Sequence, residues 1–182
     1  MNKLSSSDIK VLISENELKS RIKELGVIFN ELYKGEEVCA ISVLKGSVIF
    51  AADLVREFDF PVTLDFIRLS SYGSSTTTSG NVKAIDIKLP VIDGKNVLII
   101  EDIIDSGLTA KFLLDYIASN FRTKSTKFVS LLNKKISRRV DIEPDYYGFD
   151  IDDKFVVGYG LDYNECFRNL KYIGYADKSL LS

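Results

Sequence analysis

Apolar positions along the chain recur with two periods, and the switches between them mark out alternating helices and strands. From Leu18 onward Ile22, Leu25, Ile28 and Leu32 follow at steps of three and four, which places them on one face of a helix. Ser14 and Glu17 stand just ahead of this run with capping-box spacing, so the helix is predicted to begin there and to end near Gly35. Val38 to Leu44 (VCAISVL) is a short apolar run rich in β-branched residues and predicts a strand. Lys45-Gly46-Ser47 then makes a tight loop, followed by a helical stretch from Val48 to Phe58. The same order returns at Asn96 to Ile100 (NVLII), apolar on both faces as a central parallel strand must be. It runs into Glu101-Asp102-Ile103-Ile104-Asp105-Ser106-Gly107-Leu108-Thr109 before a helix from about Thr109 to Phe121, and Thr126 to Leu132 supplies the next strand.

Between the two repeats of this order, Pro61 to about Leu69 reads as a strand and Ser70 to Gly80 (SSYGSSTTTSG) as a mobile surface loop. Val82 to Leu89 alternates as a strand, and Asp93-Gly94 is a turn that would join it to the following strand as a hairpin-like excursion. Beyond Asn133 come a charged stretch and short aromatic pieces around Tyr146 to Phe149, Phe155 to Tyr159 and Tyr172 to Tyr175. Two strand–loop–helix units around a buried strand predict the α/β class, an open, mostly parallel sheet flanked by helices with right-handed crossovers. The expected organisation is one domain over residues 1–182, with a core of about 36–133 and a small hood from about 1–13 and 134–182.

Composition narrows the chemistry. The chain of 182 residues holds 24 Lys+Arg against 26 Asp+Glu, without the basic excess that phosphate-dominated nucleic-acid binding needs, so no nucleic-acid partner is expected. No run approaches the roughly 18 apolar residues that span a bilayer. Met1 to Ser14 lacks the apolar centre of a signal peptide, so a cytoplasmic protein without a membrane partner is expected. The two cysteines, Cys39 and Cys166, are too far apart for a C-x-x-C motif, and Cys39 within its apolar run reads as a buried thiol. There is no histidine at all, which removes Ser-His-Asp and Cys-His machinery and His-based zinc sites. Acid–base work falls to Asp, Glu, Lys or Tyr, and any metal is expected to be a hard cation held by carboxylates.

Ligands of open α/β sheets bind beyond the C-terminal strand ends. Two loops have the composition to hold anions there. Asp105 to Thr109 brings small residues, hydroxyls and backbone N–H groups to a helix start, and Lys45-Gly46-Ser47 brings a cation and a close-approach glycine. No P-loop is present, and Gly158-x-Gly160 lacks the third glycine of a dinucleotide fingerprint. The adjacent acids Glu101 and Asp102 suit vicinal hydroxyls, so acids beside a phosphate cradle point to a ribose 5-phosphate site.

Val97 to Thr109 (VLIIEDIIDSGLT) resembles the phosphoribosyl-diphosphate signature of type I phosphoribosyltransferases, in the form typical of hypoxanthine-guanine phosphoribosyltransferases. Leu44 to Ser47, Ser70-Ser71-Tyr72-Gly73 and Asp153 to Glu165 (DKFVVGYGLDYNE) agree with that family in the same order. Small departures are Ser106 where Thr is common and Asp152 where Pro is common. The resemblance implies a magnesium-dependent purine-salvage transfer from phosphoribosyl diphosphate to a 6-oxopurine, in a dimer or tetramer. It also implies a cis bond between Leu44 and Lys45.

By the same resemblance Asp105 is the general acid/base at purine nitrogen 7. Ser106, Gly107, Leu108 and Thr109 hold the 5-phosphate, and Glu101 and Asp102 lie near the ribose hydroxyls and the metal. Lys45, Gly46 and Arg168 meet pyrophosphate, and Asp162 binds magnesium. Lys134 donates to the 6-oxo group, Phe155 stacks on the base, and Val156 meets its edge. Ser71 and Tyr72 belong to a lid over the reacting centre. Two other readings fit parts of the pattern: a ligand-sensing regulator that keeps this fold without turnover, and a phosphate-accepting receiver domain. Intact Asp105, Lys134 and Asp162 argue against the first, and the second anion loop argues against the second.

Overall fold

The computed structural model describes residues 5–71, 82–83 and 89–177. In chain order the elements are β1 (Lys10–Ile13), α1 (Glu15–Leu32), β2 (Val38–Leu44), α2 (Val48–Val55), β3 (Val62–Arg68), β4 (Ser70–Ser71), β5 (Val82–Lys83), β6 (Asn96–Ile104), α3 (Leu108–Asn120), β7 (Ser125–Asn133), β8 (Tyr146–Asp150), β9 (Val156–Val157) and β10 (Ile173–Tyr175). β3-β2-β6-β7-β8 form one five-stranded sheet in that order, every pair parallel.

The capping box at the start of α1 is present: Ser14 accepts from the Glu17 amide, and the Glu17 carboxylate accepts from the Ser14 amide at 2.8 Å. Leu18, Ile22, Leu25 and Phe29 of α1 and Phe50, Ala51 and Leu54 of α2 bury one face of the sheet, meeting Val38 and Ala40 of β2 and Leu98 and Ile100 of β6. The alternate residues Cys39, Ile41, Val97 and Ile99 face the other way, against Ala110, Leu113 and Ile117 of α3. Period-2 alternation in a strand covered on both sides is why these segments read as continuous apolar runs. Cys39 is buried in this second layer.

Two segments pair differently from the sequence expectation. The partner of Val82–Lys83 is Ser70–Ser71, antiparallel, and the strand after Asp93-Gly94 is the central β6, parallel to both its neighbours. The Asp93 carboxylate accepts from the Arg122 amide at 2.6 Å, so this turn is tied to the end of α3 instead of closing a hairpin. Tyr146–Asp150, placed by sequence in the C-terminal hood, is the edge strand of the main sheet beside β7. Its aromatic residues are recruited by α1: the Tyr146 ring lies 5.0 Å from that of Phe29. The three-stranded antiparallel sheet β1-β10-β9 joins residues near both ends of the chain, and β1 carried no clear strand signal.

Candidate active site

β6 runs through the acid pair to Ile104, so Glu101 and Asp102 sit within the strand and their side chains leave opposite faces. Glu101 is buried and lines a small hollow with Asp105, Ser106, Gly107 and Thr109. Asp102 turns instead toward the Lys45–Gly46 loop, where a Cβ on Gly46 would fall 1.7 Å from its Oδ2. Gly46 is therefore required for close approach. The Ile103 amide donates to Asp102 Oδ1 at 3.0 Å.

Burial, with the neighbouring Asp102 charge second, pushes the Glu101 carboxyl up to about 8, and burial pushes Asp102 up to about 6. An acid whose pKa is raised by folding keeps its proton in the native state. Its contribution is fully present below the unfolded value near 4.5 and is lost as pH rises toward 8. Glu101 should thus remove up to about 1.4 kcal/mol of stability per pH unit across that window in the ligand-free protein. Urea midpoints measured across the window should show this slope flattened in Glu101→Gln. An unchanged slope would clear Glu101 as its source.

Gly107 holds a φ of +80 at the N-terminus of α3, a left-handed conformation that favours glycine. A Cβ there would also press on Ile142, Arg138 and Val140 of the following loop, at 2.6 to 3.0 Å. Asp105 is exposed at the mouth of this turn. The first amides of α3 need partners beyond the helix, which is the condition for anion binding.

The residues that the resemblance assigns to pyrophosphate converge as well. The Leu44–Lys45 peptide is cis, as the resemblance implied. Gly160 abuts the other side of the loop, since a Cβ on it would lie 2.0 Å from the Gly46 carbonyl oxygen. Arg168 donates to the Gly160 carbonyl at 2.7 Å and pairs with Asp162 at 2.7 Å. Glu165, held at a φ of +64, accepts from Lys45 at 2.8 Å and lies 3.5 Å from Arg168. One carboxylate thus bridges two cations.

Among the residues expected to meet the base, Lys134 is mostly buried and pairs with Asp153 at 3.0 Å. The Phe155 ring is 43% exposed, too open for a core residue, and is met edge-on by Tyr163 at 5.8 Å. Val156 is buried in β9. Of Ser71 only the backbone pairing with Val82 is described, and Tyr72 with the rest of the expected lid lies outside the described residues.

The sequence of the phosphoribosyl transferase domain matches residues 13–164 of the chain. This chain belongs to the phosphoribosyltransferase family. A hypoxanthine-guanine phosphoribosyltransferase of Bacillus subtilis (strain 168) is 48% identical to it over 165 residues, 91% of this chain and 91% of that protein. Another, from Aquifex aeolicus (strain VF5), is 42% identical over 171 residues, 93% of this chain and 96% of its own. The crystal structure of a hypoxanthine phosphoribosyltransferase from Staphylococcus aureus superposes with a TM-score of 0.92 at 39% identity, covering 100% of this chain and 99% of that one. The parallel sheet with helices on both faces is the type I phosphoribosyltransferase fold expected from the sequence, and the protein is a pentosyl transferase.

Three features of this phosphoribosyltransferase site were not singled out from sequence. Glu165 is the bridging anion. Tyr159, at a φ of +50, donates its hydroxyl to Asp53 of α2 and so ties the Gly158–Gly160 turn to the helix that follows Lys45–Gly46. Arg138, in the charged stretch after Asn133, folds inward while Lys135 stays out.

Proposed function

We propose that this phosphoribosyltransferase acts on hypoxanthine and/or guanine, giving the nucleoside monophosphate and pyrophosphate in purine salvage. What supports this reading is the exposed Asp105 on a turn suited to anions, with the Lys134 amide bonded to the neighbouring Ile104 carbonyl and an open Phe155 ring two residues from the Asp153 that pairs with Lys134. As purine nitrogen 9 bonds to C1′ and the bond from C1′ to pyrophosphate breaks, the proton on nitrogen 7 passes to the Asp105 carboxylate. A positioned base of this kind contributes a factor of about 10²–10⁴. Amides and hydroxyls of Ser106 to Thr109 hold the 5-phosphate, and Lys45 with Arg168 stabilises the charge gathering on the leaving group.

The donors facing the sugar and leaving group are the carboxylates Glu101, Asp102 and Asp162. Among the described residues no cluster of three such groups forms a metal cage of its own. Buried acids held above their ordinary range are relieved by a divalent cation, so the set fits magnesium shared with substrate oxygens. When bound, that ion supplies electrostatic neutralisation of the diphosphate. No described helix is long and apolar enough to cross a membrane, and a cytoplasmic dimer or tetramer is the setting we propose.

The test is a steady-state assay of the purified protein with phosphoribosyl diphosphate, magnesium and each of hypoxanthine, guanine, xanthine and adenine. Turnover with a 6-oxopurine is expected, and none with any base would leave a ligand-sensing regulator. Glu165→Gln should bind pyrophosphate several-fold more tightly by calorimetry, because the bridging charge between Lys45 and Arg168 no longer competes. Weaker binding in that variant would give Glu165 a direct part in holding the ligand.

A further inference from the structure

An anion-binding turn works only if its carbonyl groups point away from the anion. Here three successive carbonyls are taken up by one segment, residues 134–139. The Ile104 carbonyl accepts from the Lys134 amide at 3.0 Å and from Arg138 NH1 at 2.9 Å. The Asp105 carbonyl accepts from the same NH1 at 2.8 Å, and the Ser106 carbonyl from the Arg139 amide at 2.9 Å. Because C=O and N–H point in opposite directions across a trans peptide, fixing these carbonyls turns the amides of Asp105, Ser106 and Gly107 away from residues 134–139.

Arg138 is the only side chain among these donors, and it is itself held. Its NH2 donates to Asn133 Oδ1 at 2.6 Å, and the fully buried Asn133 donates from Nδ2 to Asp150 at 2.9 Å. The Arg138 side chain is 12% exposed, and its ion pair with Glu143 at 3.8 Å is loose. A planar guanidinium satisfies this fork of acceptors; an ammonium does not have the shape for it.

We propose that Arg138 is the positioning residue of the phosphate turn, acting through the Ile104 and Asp105 carbonyls to aim the amides of Asp105 and Ser106. The proposal rests on the reading of Ser106 to Thr109 as the 5-phosphate cradle. Removing the guanidinium frees the peptide after Asp105 and leaves the one before it held by the Lys134 amide alone, so it weakens phosphoribosyl diphosphate binding and slows turnover together. The base side is affected little, because Lys134 keeps its own amide bond to Ile104.

The experiment compares Arg138→Ala and Arg138→Lys with the native enzyme. In Arg138→Ala the KM for phosphoribosyl diphosphate should rise about tenfold or more and kcat fall about 10²-fold, the scale of a small misplacement at a reacting group. The KM for hypoxanthine should stay within about twofold. Millimolar guanidinium should restore at least tenfold of the lost kcat/KM, and methylammonium at equal ionic strength should not. Rescue by both cations or by neither, or a rise confined to the KM for hypoxanthine, would overturn the proposal. If the alanine variant does not fold, Arg138→Lys decides: it keeps the charge and stem, so native kinetics in it would equally overturn the assignment. Thr109→Val separates the two readings. Unchanged phosphoribosyl diphosphate affinity in Thr109→Val would remove the cradle itself, whereas weakened affinity there beside native Arg138 variants would remove only the role of Arg138.

Discussion

Asp105→Asn should lower turnover by about 10²-fold or more while leaving phosphoribosyl diphosphate affinity within a few-fold. Asn keeps the size and the hydrogen-bonding reach of the side chain but cannot accept a proton at neutral pH. Asp105 is exposed at the mouth of the turn, so the substitution buries no unpaired group and the fold has no reason to suffer. Single-turnover kinetics isolates the chemical step from product release. Native single-turnover rates in Asp105→Asn would remove it from the mechanism, and a parallel loss in affinity would make it a binding residue instead.

Discrimination against adenine should be about 10⁴ in kcat/KM, with Lys134 its main source. An ammonium aimed at a 6-oxo acceptor is left facing another donor when a 6-amino group arrives. The arrangement is stiff, because Lys134 is anchored on both sides: its amide donates to the Ile104 carbonyl at 3.0 Å and its Nζ pairs with Asp153 at 3.0 Å. Lys134→Met should keep much of the stem packing and bring the ratio of hypoxanthine to adenine down by about two orders of magnitude or more. Competition assays with both bases read this ratio directly, and a ratio unchanged in Lys134→Met would assign discrimination to backbone groups.

The fold was legible wherever one pattern decided one element. β2 begins and ends at the residues the apolar run predicts, and the Ser14–Glu17 capping box starts α1 as its spacing requires. The acids of β6 were harder. Sequence marked them as the end of an apolar strand, and only the pairing of Glu101, Ile103 and Ile104 with β7 shows the strand continuing, which sends Glu101 and Asp102 to different neighbours. Tyr146–Asp150 was misplaced because an aromatic run says nothing about which sheet receives it; the α1 aromatics decide that. Arg138 and Glu165 were illegible for a related reason. Surface-type residues acquire roles through partners distant in sequence, and no local period encodes the Ile104 carbonyl or the Lys45 ammonium as a destination.

The pairing of β1 with β10, which sets Lys10 opposite Tyr175, bears on how the protein is made. The chain leaves the ribosome from its N-terminus, and the donors that hold the carbonyls of the turn at Asp105 and Ser106 all lie in residues 134–139, directly after β7, so that turn has its partners once Arg139 has emerged. The wall carrying Phe155 and Val156 has no such autonomy. Val156 pairs with Tyr175, and that strand pairs in turn with residues 10–13, so this wall waits for segments from far apart in the chain to meet. A nascent chain halted after Arg139 would contain the turn and its donors but neither strand of the wall that carries Phe155 and Val156. That wall is therefore the last part of the fold to close as the molecule is synthesised, since its outer strand pairs residues 10–13 with residues 173–175.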